Sequence, residues 1–127
     1  MIDAMLDTDV LIETLRGRTE AGDWLRSVGS QHIGISVLVR MEILQGAQNR
    51  REQTLLSREM SRYTLVHLEH TDSETALGWF ESFHLSHGVG MMDCLIAAAA
   101  VRLGVPLYSF NLKHYSALPG LDVHAPY

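Results

Sequence analysis

Four acids in this chain fall where carboxylates can do chemistry. Asp7 and Asp9 stand two residues apart, directly after the short apolar run Ala4–Leu6. Glu42 is flanked by Met41, Ile43 and Leu44, and Asp93 follows Gly88-Val89-Gly90-Met91-Met92 at the head of an alanine-rich stretch. Asn111 comes just after another apolar run, Leu107-Tyr108-Ser109. Carboxylates gathered in one cleft repel by about 4 kcal/mol per pair at about 4 Å and an effective dielectric of about 20. A hard divalent cation removes that repulsion, and an all-oxygen ligand set suits magnesium or manganese. Such an ion lowers the pKa of water and stabilises charge on phosphate oxygens, so an acidic cleft that holds one can cut a polyanion. Each acid also has an ordinary structural use. Asp7, Asp9 and Asp93 can cap a helix or sit in its first turn, and Glu42 can face solvent. Position and composition alone leave both uses open.

The elements that would position these residues alternate along the chain. After Ala4–Leu6, the spacing of Leu11, Ile12 and Leu15 predicts a helix over Val10–Leu15, ending at Arg16-Gly17-Arg18-Thr19, with a second over Glu20–Val28 that stops at Gly29. His32–Ser36 alternates and is β-branched, which predicts a strand. Helical spacing returns over Val37–Ala47, closing near Gly46, and over the arginine-rich Arg50–Arg62; Thr64–Leu68 reads as a third strand. Ser73–Leu85, bearing Trp79, Phe80 and Phe83, and Asp93–Leu103, capped by Gly104, read as helices. Leu107–Ser109 is a fourth strand and Leu121–His124 a fifth. Strands alternating with helices imply a three-layer α/β/α sandwich around a central, mainly parallel sheet of four to five strands. In such sheets sites lie at the carboxyl ends of the strands, where the strand order reverses. Asp7, Asp9 and Asn111 follow strands, so the switch point can gather acids that are distant in sequence.

Bulk properties set limits. A chain of 127 residues with 46% hydrophobic and 20% charged residues fits one packed domain spanning residues 1–127. No apolar run is long enough to cross a bilayer, the first residues do not read as an export signal, and the single Cys94 cannot form an internal disulfide, so the expected location is the cytoplasm. The net charge of −5 speaks against a nucleic-acid partner. Its distribution softens that objection: Arg16, Arg18, Arg26, Arg40, Arg50, Arg51, Arg58 and Arg62 fall in the first half, and only Arg102 and Lys113 in the second. Cations held by an acidic cleft would also reverse its charge locally.

The wording around the acids resembles the PIN domain family, and within it the VapC/FitB-type toxins of toxin–antitoxin pairs. Met5-Leu6-Asp7-Thr8-Asp9-Val10-Leu11-Ile12, then Leu15-Arg16-Gly17, resembles the family's opening strand, first acid and first helix. The segment from Ile35 to Ala47 is similar to its strand and helix with an inward-facing glutamate, here Glu42. Asp93-Cys94-Leu95-Ile96-Ala97-Ala98 resembles a "D-x-x-I-A-A" helix start, and Tyr108-Ser109-Phe110-Asn111-Leu112-Lys113-His114-Tyr115 resembles the closing "T-x-N-x-x-H-F". The four blocks run in the family's order across nearly the whole chain. The resemblance implies a metal-dependent endoribonuclease with magnesium- or manganese-binding carboxylates at Asp7, Glu42 and Asp93. It implies auxiliary roles for Thr8, Asp9, Ser109 and Asn111, with Thr8 tying down the first loop. It also implies an RNA substrate, a homodimer and a VapB-like antitoxin that blocks the cleft. Asn111 stands where many members have a fourth acid, and Ser109 replaces the more usual threonine while keeping the hydroxyl. Arg40, near Glu42, is the first guess for a contact to RNA phosphate.

Two rival readings use the same acids. Asp7-Thr8-Asp9 has the D-x-D form of a haloacid-dehalogenase-type phosphatase, but Val10-Leu11 stands where that family has Gly-Thr. A receiver-like interaction module would want an aspartate after the third strand, where this chain has Glu69.

Overall fold

The chain's structure, a computed structural model, describes residues 1–127. It opens with strand β1 (Ala4–Leu6), followed by helices α1 (Thr8–Leu15) and α2 (Thr19–Val28). Strand β2 (Ile33–Ser36) leads into α3 (Val37–Gln45) and α4 (Arg50–Met60), and β3 (Thr64–Val66) into α5 (His70–His87) and α6 (Met91–Leu103). Strand β4 (Leu107–Tyr108), the short helix α7 (Leu112–Tyr115) and β5 (Val123–His124) close the chain. All strands pair in parallel, in the order β3-β2-β1-β4-β5. The sheet thus grows outward from β1 to β3, then the chain crosses back to lay β4 on the other side of β1. The reversal falls between β1 and β4, where Asp7 N–H donates to the Tyr108 carbonyl (2.9 Å).

Every residue of β1 is buried, as a parallel sheet covered by helices on both faces requires. Met5, Leu6, Leu11, Ile35, Ile96 and Leu107 are wholly enclosed, each contributing roughly 1.5–3 kcal/mol by leaving water. In α6 the run Ile96–Ala100 is buried all round, so this helix runs through the core rather than along its surface. Gly88 (φ 70°) and Gly104 (φ 67°) end α5 and α6 in the left-handed conformation that only glycine enters at no steric cost. The first of these turns the chain from α5 toward Asp93.

Gly34, inside β2, has a different constraint. A Cβ there would lie 2.8 Å from Ile2 Cδ1 and 3.0 Å from Val66 Cγ2. Gly34→Ala is therefore expected to destabilise the protein by about 1–3 kcal/mol through overpacking, read as a lower urea midpoint at unchanged slope.

The structure shifts several predicted boundaries. Helix α1 starts at Thr8 rather than Val10 because Asp7 caps it. Helix α5 starts at His70 rather than Ser73, as Glu69 and Asp72 close a capping box. Asp93 does not open its helix: α6 begins at Met91, and Asp93, in the first turn, accepts from Gly90 N–H (3.1 Å). Helix α2 gains Thr19, and α3 and α4 end at Gln45 and Met60, short of the predicted Ala47 and Arg62. Strand β2 begins at Ile33 rather than His32. Strands β3, β4 and β5 shrink to the residues that find partners, β3 ending where Ser36 meets Val66. Helix α7 had no periodic signal; its four residues are too few to show one.

Candidate active site

Asp7 is the first residue after β1. Extended backbone there makes it the N-cap of α1, and its Oδ1 accepts from Thr8 N–H (2.9 Å). Its Oδ2 accepts from Ser109 Oγ (2.8 Å), just beyond β4, and from the Tyr115 hydroxyl (2.9 Å) on α7. Asp7 is only 6% exposed. Burial raises its pKa, against the lowering effect of the Ser109, Thr8 and Tyr115 hydrogen bonds, and nearby Asp93 adds a further upward push.

Asp9, in the first turn of α1, bends back to the β4 side. Its Oδ2 accepts from Phe110 N–H (3.1 Å) and Ser109 Oγ (3.4 Å), while its buried Oδ1 has no partner. Burial first, and the Asp7 charge second, push its carboxyl up to about 6. Glu42 is exposed on α3, linked to the first loop by Thr8 Oγ1, which donates to Oε1 (3.2 Å). Asp93 sits at 3.4 Å from the Tyr115 hydroxyl through Oδ1 and 3.9 Å from His114 Nδ1 through Oδ2. The Asn111 amide donates to His114 Nδ1 (2.8 Å), and Asn111 N–H donates to Ser109 Oγ (3.0 Å).

These residues share one open cavity of about 320 Å³, lined by Asp7, Thr8, Asp9, Glu42, Asp93 and Asn111, with Ile12, Met92 and Ile96 as apolar wall. It lies at the carboxyl ends of β1 and β4, beside the reversal in strand order, where a ligand site belongs in an open parallel sheet. No lysine, arginine or histidine lines it. Four carboxylates without a cationic neighbour in the wall, together with the orphaned Asp9 Oδ1, make a donor set that fits a hard divalent cation. No three of the acids already enclose one point at ligand distance. An ion seated here would take one or two of the carboxylates directly and reach the others through its waters, as magnesium does.

The sequence reading placed Asp7, Thr8, Asp9, Glu42, Asp93 and Asn111 together, and all line this cavity. Ser109 lies beneath it, fully buried, holding Asp7. Arg40, half-buried on α3, is not among the lining residues. Tyr115 was missed as a site residue. It ends the segment that resembles the closing "T-x-N-x-x-H-F", where the motif has phenylalanine, so the resemblance marked its ring but not its hydroxyl.

Comparison with known proteins gives a consistent result. The family model described as "PIN domain" matches residues 4–117. The chain is 30% identical to the protein named "Ribonuclease VapC19" of Mycobacterium tuberculosis, over 97% of this chain and 98% of that one. Among solved structures, it resembles DNA-bound VapBC from Salmonella typhimurium with a TM-score of 0.83 at 22% identity, covering all of both chains. It also resembles a toxin–antitoxin complex from Klebsiella pneumoniae with a TM-score of 0.81 at 24% identity, covering 98% of each chain.

Proposed function

The chain belongs to the PIN domain family, and from that membership we propose that it is a magnesium- or manganese-dependent endoribonuclease, the toxin of a toxin–antitoxin pair. The observation that supports this reading best is the cavity itself. Acids from three separate parts of the chain, with no lysine or arginine among them, converge at the carboxyl ends of the neighbouring strands β1 and β4. The relative named as a ribonuclease, similar over nearly its full length, points the same way.

In this reading Asp7, Glu42 and Asp93 would hold the cation, one or two of them directly and the rest through its waters, with Asp9 as a further carboxylate and Asn111 at the rim. The bound ion supplies water activation and stabilises the charge that develops on phosphate oxygens. The protein's own part is orientation. Ser109 fixes Asp7 from below, Phe110 N–H holds Asp9, Thr8 ties Glu42 to the first loop, and the Asn111–His114 pair borders Asp93. Residues 1–127 act as one catalytic domain in the cytoplasm, as a homodimer, with a VapB-like antitoxin closing the cleft. Arg40 is proposed to meet RNA phosphate outside the cavity. The phosphatase and receiver-like readings lose their support, because membership of the PIN family accounts for Asp7-Thr8-Asp9 and also gives Glu42 and Asp93 a use.

The test is purified chain, free of co-expressed partner, incubated with total RNA and magnesium, manganese or excess EDTA. Discrete cleavage that needs the metal is expected; RNA left whole with either metal, alongside hydrolysis of p-nitrophenyl phosphate, would overturn the reading. Metal binding needs ionised carboxylates, and Asp9 titrates near 6. Mn²⁺ affinity of the metal-free chain should therefore weaken as pH falls through about 6, well above the pH at which an ordinary carboxylate takes its proton. Affinity unchanged down to about pH 4.5, close to ordinary carboxyl values, would remove Asp9 from the site.

A further inference from the structure

Tyr115 is 1% exposed, and its ring is part of the hydrophobic core. Its hydroxyl nevertheless reaches two of the cavity's carboxylates, Asp7 Oδ2 at 2.9 Å and Asp93 Oδ1 at 3.4 Å. The packed ring fixes where that hydroxyl lies, so its direction is set by the core and not by solvent. An ionised carboxylate has about four acceptor positions. On Asp7, Oδ2 takes both Ser109 and Tyr115, and Oδ1 takes Thr8 N–H. One acceptor position remains, on Oδ1.

Building on the metal-dependent reading above, we propose that Tyr115 is a positioning residue for the cation. Its hydroxyl donates its one proton to Oδ2 of Asp7 and holds that oxygen on the protein side, so that Oδ1 is the oxygen offered to the metal. Without it, Oδ2 keeps only Ser109 and the carboxylate is held by two hydrogen bonds in place of three, with a looser orientation toward the cavity. Outer partners of metal ligands typically contribute about 10- to 100-fold in metal affinity.

A purely structural hydroxyl would be one that satisfies a buried polar group and nothing more, and its loss would lower stability without touching affinity. The two uses separate in one experiment. Manganese binding to the full chain is titrated by the EPR signal of free Mn²⁺ for the native protein, Tyr115→Phe and Tyr63→Phe. Tyr115→Phe keeps the ring that fills the core. Tyr63 also packs its ring in the core but lines neither the cavity nor the carboxylates, so its variant controls for a tyrosine-to-phenylalanine change away from the site. The expected result is that Tyr115→Phe binds Mn²⁺ about 10-fold or more weakly, that Tyr63→Phe binds like the native chain, and that high Mn²⁺ restores the cleavage rate of Tyr115→Phe. Thermal melts without metal confirm that both variants fold. Equal affinity in Tyr115→Phe and the native chain would overturn the positioning role while leaving the metal site standing. A native chain that binds no Mn²⁺ would overturn both.

Discussion

Asp7→Asn is expected to abolish metal-dependent cleavage and, in the same protein, to raise the melting temperature measured without metal. The first effect follows from charge. Asp7 is the most buried acid of the cavity, and an amide there gives the cation a neutral, weaker ligand at the point where the protein has spent the most effort on orientation. A loss of about a thousandfold corresponds to about 4 kcal/mol of barrier, within the several kcal/mol that a well-placed ion supplies. The second effect follows from linkage. Folding raises the Asp7 pKa, chiefly by burial, so the folded state prefers the protonated carboxyl. Its contribution to stability is fully present below the unfolded value of 3.8 and is lost as pH rises through the folded pKa. At neutral pH the metal-free fold therefore carries a penalty that a permanently neutral Asn lacks. The Asn carbonyl still accepts from Thr8 N–H, and its amide can donate to the Ser109 and Tyr115 hydroxyls. Scanning calorimetry with and without Mn²⁺ reads both effects. The native chain should gain stability with metal, by about 2.7 kcal/mol at 100 times the dissociation constant, and Asp7→Asn should start higher and gain little. An Asn variant that cleaves at the native rate would remove Asp7 from the metal site, and one that melts lower without metal would contradict the burial argument. Glu42→Gln makes the contrast: exposed and held by a single 3.2 Å bond from Thr8, it should lose activity with almost no change in stability.

Why the acids were legible in the sequence and Tyr115 was not has a physical explanation. Asp7 and Asn111 follow short apolar runs that the alternation with helices marks as strands, which puts them at the sheet's carboxyl edge; that the acids form a site came from the wording around them, which resembles the PIN family. Glu42 interrupts an apolar stretch at a helical position, and Asp93 heads a helix whose alanines demand burial. The strand order that brings β1 beside β4 was reachable as a type, because alternating strands and helices form few sheets. The ends of elements were less so. Asp93 reads as a helix opener until the structure shows the helix starting at Met91, because Gly90 N–H finds its acceptor in the side chain of Asp93 itself. Helix α5 begins earlier than its apolar period suggests, since Glu69 and Asp72 set its start by polar capping, which hydrophobic spacing does not record. Tyr115 sits on a helix of four residues, and its bonds to Asp7 and Asp93 span 108 and 22 positions along the chain. No local pattern carries a contact of that kind.

The scaffold under the site has its own point of failure, at the far end of α6. Asp72 on α5 is 1% exposed, and Arg102 on α6 donates to both of its oxygens, from Nε (2.9 Å) and Nη2 (3.1 Å). Arg102 also reaches the His67 carbonyl (3.3 Å) and Glu69 (3.3 Å), so one guanidinium fastens α6 to the segment that leads from β3 into α5. Taking away Arg102, whose side chain is 23% exposed, leaves the buried Asp72 carboxylate with Glu69 N–H as its partner, which costs about 3 kcal/mol, the low end for breaking a buried pair. Arg102→Met is therefore expected to lower stability by about that much, a large share of the roughly 5–15 kcal/mol typical of a folded protein. Replacing both partners is less harmful than replacing one when no buried charge is left, provided the acceptor that caps Glu69 N–H is kept. The double variant Asp72→Asn with Arg102→Met keeps that acceptor and should recover part of the loss, and a double-mutant cycle in urea measures how much. Arg102 lies about 13 Å along the helix from Asp93, nine residues at about 1.5 Å each. Once the folded fraction is accounted for, Mn²⁺ affinity in Arg102→Met should thus equal that of the native chain. Affinity that falls along with stability would mean the two ends of α6 are coupled, and that this salt bridge sets the geometry of the acids as well as the fold that carries them.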